Sequence, residues 1–77
     1  MFFLIEYERP VGKIISFRKF DAAERGAAET ARLEMEIELN RLGIEREVIL
    51  LDAVTEESLR RTHRRYFENL SELMTSP

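Results

Sequence analysis

The 77-residue chain has no cysteine, no tryptophan, one histidine, two prolines and three glycines. Without cysteine there is neither a disulfide nor a thiolate metal site. Three separate glycines do not build a phosphate-cradling loop. The single histidine, His63, has Tyr66 and Phe67 at i+3 and i+4, where a helical metal site would need a second ligand. Serines and threonines fall in turns, helix caps and strand faces, away from any nucleophile elbow or oxyanion loop. The apolar run at the start, Met1 to Ile5, is too short for a signal-peptide core and has no basic residue before it, and nothing later approaches a membrane span. Positive charge is not in excess either. Twelve Lys plus Arg against fifteen Asp plus Glu leave a net charge of -3, so the chain as a whole has no attraction for phosphate backbones or anionic lipid. These absences lead us to expect a cytoplasmic, non-enzymatic protein with no catalytic residues, no cofactor, no metal and no membrane association.

What is present is a modest supply of core. Apolar residues make up 44% of the chain, and six of them are alanines. A single domain spanning residues 1–77 is the only organisation that fits. A chain of this size buries about 60–65% of the surface its unfolded form exposes, and a core so small contributes only about 3–5 kcal/mol. With disulfides and thiolate metal sites excluded, association into an oligomer is the expected supplement.

The elements read as ββαβα. From Phe2 to Arg9, Phe3, Ile5 and Tyr7 alternate with Phe2, Leu4, Glu6 and Glu8, and the aromatic and branched side chains suit a strand. A second strand, Lys13 to Phe20, places Ile15 and Phe17 on one face and Ile14, Ser16 and Arg18 on the other. Between them Arg9, Pro10, Val11 and Gly12 form a type I turn with Gly12 in the left-handed region, hence a hairpin. Asp21 and Glu24 have the spacing of a capping box and open a helix that runs to a glycine stop at Gly43. Ile44 to Ala53 is a third strand, in which Val48, Ile49, Leu50 and Leu51 form the continuous apolar run of a strand covered on both faces. Thr55 caps a second helix that extends to about Met74.

If each element reverses direction, the three strands form an antiparallel sheet of order 2-1-3, with the N-terminal strand central. The fold class expected is α+β, with two helices on one face. The other face, bearing Phe2, Leu4 and Ile14, is then uncovered. The first helix has a stripe of Ala28, Ala31, Met35, Leu39 and Leu42 for the sheet. A second stripe, Gly26, Thr30, Leu33 and Ile37, lies about 180° away. It must meet either the second helix or another chain. Leu33, Ile37, Phe2, Leu4 and Ile14 are therefore the candidate partner-binding residues, and a homodimer is the leading expectation.

An anionic partner is the alternative. Arg60, Arg61, Arg64 and Arg65 fill one arc of the second helix and, with Arg18 and Lys19, are candidates for nucleic-acid phosphates. Against this, Glu56 and Glu57 stand four residues before Arg60 and Arg61, and Glu68 four after Arg64, so a compensated, solvated face is favoured. The aromatic side chains offer little more. Phe3, Tyr7 and Phe17 are needed in the core, which leaves Phe2 and Phe20 for stacking bases. His63 falls on the apolar arc with Leu59, Tyr66, Phe67, Leu70, Leu73 and Met74 and reads as a packed side chain.

The hairpin residues Arg9-Pro10-Val11-Gly12 and the run Glu57-Ser58-Leu59-Arg60-Arg61-Thr62-His63-Arg64-Arg65-Tyr66-Phe67 resemble a group of small bacterial proteins of unknown function, similar in length and in element order. The resemblance implies no activity, ligand or partner. It implies that Thr62, His63, Arg65, Tyr66 and Phe67 form a recurring packing unit.

Overall fold

A computed structural model describes residues 1–67. The expected α+β order is present. Strands β1 (Phe2–Glu8) and β2 (Lys13–Phe20) form a hairpin, a 3-10 turn (Ala22–Glu24) leads into α1 (Arg25–Leu42), and β3 (Glu47–Asp52) is followed by α2 (Glu56–Thr62) and a second 3-10 turn (Arg64–Tyr66). The sheet is antiparallel with order β2-β1-β3.

Local signals account for most of the boundaries. In the hairpin, Gly12 has φ 63° and donates its N–H to the Arg9 carbonyl at 3.1 Å, the closure of the expected turn. The Glu24 carboxylate accepts the Asp21 N–H at 2.9 Å, so the spacing of those two acids does start a helix. Gly43 ends α1 at φ 69°. Its N–H reaches the Asn40 carbonyl at 3.1 Å and the Ile44 N–H reaches that of Leu39 at 2.9 Å, a Schellman closure. Thr55 caps α2, its hydroxyl accepting the Ser58 N–H at 3.0 Å.

The two helices do not share a face. Leu4, Phe20, Ala28 and Ala31 form one core, with Phe2, Met35, Val48 and Leu50 packed against it. Phe3, Ile5 and Leu59 form the other, joined by Tyr7, Phe17, Ile49, Leu51 and Phe67. Even-numbered residues of β1 thus lie beneath α1 and odd-numbered ones beneath α2, so the sheet is a filling between helical layers. The physical reason is β1 itself. Phe3, Leu4 and Ile5 are all fully buried, and consecutive apolar side chains on a strand point to opposite faces, so both faces need a cover. Leu4 and Phe2, expected on an uncovered face, are under α1 instead.

Ile14 is also moved. The register passes from Glu6 opposite Ser16 to Tyr7 opposite Ile14, so Ile15 is the extra residue of a β-bulge. Ile14 consequently packs with Phe17 on the α2 side, while Ile15 is 39% exposed. The second helix is shorter than its pattern. It stops at Thr62, whose hydroxyl bonds back to the Ser58 carbonyl at 3.0 Å, and the chain turns at His63 (φ -123°, ψ 48°). The expected continuation to Met74, with Glu68, Leu70 and Leu73, lies outside the described residues.

Candidate protein-interaction surface

The strand that reads most like the centre of a sheet stands at its edge. Val48, Ile49, Leu50 and Leu51 are all half-buried, and among the described residues the outer side of β3 has no strand partner. The direction of its backbone follows from one bond. Ala53 donates to the Met1 carbonyl at 3.0 Å, and groups on an antiparallel strand alternate between neighbours. Ile49 and Leu51 therefore address β1, whereas the N–H and C=O groups of Val48, Leu50 and Asp52 point outward. The opposite edge differs: β2 carries the bulge at Ile15 and exposed Lys13, Arg18 and Lys19, the devices that discourage a further strand.

Leu33 and Ile37 form the other apolar surface, 52% and 58% exposed on the outer side of α1. Of the two destinations expected for this stripe, the helix α2 is excluded among the described residues, because it lies across the sheet. Ion pairs border it, Arg25 to Glu29 at 3.3 Å and Arg32 to Glu36 at 3.0 Å. Exposed Gly26 and Thr30 complete the stripe.

The basic residues are dispersed. Arg60 pairs with Glu56 at 3.0 Å and Arg61 with Glu57 at 3.2 Å, as their spacing predicts. Arg60, Arg61 and Arg64 line a surface depression with Glu57 and Phe67, but Arg65 turns away to Glu47 at 3.2 Å. Lys19 joins Glu56, whose carboxyl is held below its ordinary pKa first by the Lys19 hydrogen bond and then by Arg60. Arg18 points to the α1 side, its guanidinium 5.0 Å from the centre of the Phe20 ring, and so is not brought together with the arginines of α2. Phe2 and Phe20, the aromatic residues expected to be free, are in the core beneath α1.

At the other end of β3 a polar cluster gathers around Glu47. Its carboxylate accepts hydrogen bonds from the Tyr66 hydroxyl, from Arg9 Nε at 2.6 Å and from Arg65. The Tyr66 ring stacks edge-on to Tyr7, with centroids 5.0 Å apart, and the Tyr7 hydroxyl donates to the Arg65 carbonyl at 3.3 Å. The Tyr66 hydrogen bond is the main reason Glu47 is held below the usual carboxylate range. Partial burial opposes it, and Arg9 and Arg65 reinforce it. Burial, and then the carboxylate, push Tyr66 up, so it stays a protonated donor. On the α1 side Glu6 is paired with Arg46 and accepts from Ser16 Oγ at 3.1 Å. Sequence reasoning missed both clusters, because Glu47 and Tyr66 are 19 positions apart and Glu6 and Arg46 40 apart.

His63 is half-buried, its Nδ1 2.9 Å from the Thr62 hydroxyl and its ring centroid 6.5 Å from that of Tyr66. Among the described residues no group of three or more His, Asp or Glu side chains is placed to hold a metal ion, and no helix is long and apolar enough to cross a membrane. No protein-family model, curated protein or solved structure matches the chain.

Proposed function

We propose that this chain is a cytoplasmic, non-enzymatic protein-interaction module that works as a homodimer. One observation carries the reading: a continuous apolar strand, Val48 to Leu51, stands at an edge without a strand partner among the described residues, its side chains half in water. Such an edge attracts other strands unless something covers it. The small core supports the same conclusion, since association is the supplement still open to a chain without disulfides.

The ion pairs of Arg60, Arg61, Arg65 and Lys19 favour a protein partner over a nucleic acid, because each phosphate contact would have to displace a carboxylate already in place. In keeping with the resemblance to small bacterial proteins, we assign Tyr66 and Phe67 a packing role against Tyr7 and Phe17. Sedimentation equilibrium from 1 µM to 1 mM tests the proposal, with fluorescence anisotropy against single-stranded RNA and DNA at low salt beside it. A dimer in the micromolar range without nucleic-acid affinity is expected. A monomer throughout, or salt-sensitive RNA or DNA binding, would overturn the reading.

A further inference from the structure

We infer that the dimer forms by antiparallel pairing of β3 with β3 of a second copy, which joins two three-stranded sheets into one of six strands. The inference rests on the proposed self-association and adds where and in what register it occurs. A β-strand edge is specific about its occupant, because its N–H and C=O groups alternate at fixed spacing and only another extended strand meets them in series. On β3 those outward groups belong to Val48, Leu50 and Asp52. An antiparallel pair of identical strands is closed by a two-fold axis, so each copy satisfies the other and no third edge of this kind remains. The remaining edges, both β2, carry the bulge and exposed Lys13, Arg18 and Lys19, which stops the sheet from growing further.

Side-chain chemistry selects the register. With the axis at Ile49, Val48 faces Leu50 of the second copy and Ile49 faces its own equivalent. Arg46, one residue before β3, then stands opposite Asp52 of the second copy on the α1 side, once at each end of the pairing. Asp52 is available for this contact: its side chain is 70% exposed and, among the described residues, is paired with the N-terminal amine at 3.4 Å. Arg46 already holds Glu6 and, at 3.7 Å, Glu8 on β1, and its guanidinium has donors to spare for a further carboxylate across the edge. Shifting the axis by one residue to Leu50 would set Val48 against Asp52 and leave Arg46 without an acid across the interface.

Because the chain has no native cysteine, single-cysteine variants report the contact without background. In this register Ile49 and its equivalent form a non-hydrogen-bonded pair, the closer of the two antiparallel spacings and one a disulfide can bridge. Ile49→Cys is expected to form a covalent dimer under mild oxidation, whereas Ile37→Cys on the outer side of α1 is expected to stay monomeric on a non-reducing gel. Asp52→Arg sets like charges opposite at both ends and is expected to raise the dimer dissociation constant about tenfold, with an unchanged monomer fold by NMR. If the protein dimerises but Ile37→Cys cross-links in place of Ile49→Cys and Asp52→Arg has no effect, the β3 pairing is wrong while self-association stands. If the unaltered chain is monomeric at every concentration, both fall.

Discussion

Tyr66 is buried with its hydroxyl on the Glu47 carboxylate, so replacing it with phenylalanine keeps the edge-on packing against Tyr7 while removing a donor from a half-buried anion. Arg9 and Arg65 still reach Glu47, which limits the damage. Tyr66→Phe is expected to cost about 1–2 kcal/mol in urea denaturation at pH 7. The pH dependence has a definite sign. A carboxyl whose folded pKa is depressed binds fewer protons folded than unfolded in the window between its two pKa values. Its contribution is therefore complete above the ordinary glutamate value of about 4.3 and is lost as the pH falls through the lower, folded value. Since the Tyr66 hydrogen bond is the largest cause of that depression, the acid limb of stability against pH is expected to be shallower in Tyr66→Phe. Urea midpoints measured from pH 7 down to pH 2 read this directly, and parallel acid limbs would show that Arg9 and Arg65 hold the carboxylate on their own. None of this was legible in the sequence, where Glu47 is merely one residue within the expected strand Ile44 to Ala53.

At the level of elements, legibility followed locality. The hairpin turn, the Asp21–Glu24 start of the helix, the Gly43 stop and the Thr55 cap are each set by residues within five positions of one another, and each is in place. The bulge at Ile15 and the end of α2 at Thr62 had no glycine or proline to announce them, and the side-chain pattern alone reads straight through both. Two glycines make the local argument measurable, because they sit in opposite backbone environments. Gly43 has φ 69°, a region where a Cβ meets the following carbonyl, so Gly43→Ala is expected to destabilise by about 1–2 kcal/mol. Gly26 lies within α1, and a Cβ there would have nothing within 4 Å. Gly26→Ala is expected to stabilise by about 0.5–1 kcal/mol through the entropy of the unfolded chain. Thermal melts of the two variants should move in opposite directions. A stabilised Gly43→Ala would mean that α1 ends differently in solution.

For the molecule as a whole, strand order was readable because successive elements reverse direction, which sets the third strand antiparallel to the first and beside it, and an apolar N-terminal segment fits the centre. Placement of the helices was not, because the rule that connections avoid crossing does not choose a face. The deciding information was already in Phe3-Leu4-Ile5, whose neighbours point to opposite sides and so call for two covers. A sheet with a helix on each side has only its edges left for contact in the plane of the strands, and β3 is the edge without charge along its apolar run. If folding and association are coupled there, stability must depend on how much protein is present. For a dimer that unfolds to two chains, each tenfold rise in concentration adds about 1.4 kcal/mol per dimer, or about 0.7 kcal/mol per chain. In a domain of this size about 1 kcal/mol moves Tm by about 4–8 °C, so a gain of about 3–5 °C per decade is expected between 10 µM and 1 mM. The same scan on Asp52→Arg should give a lower curve wherever the unaltered protein is dimeric, with the gap widest at the concentrated end and closing on dilution as both proteins come apart. A Tm that ignores concentration in the unaltered protein would mean that the exposed strand is tolerated in the monomer and that the core, small as it is, suffices.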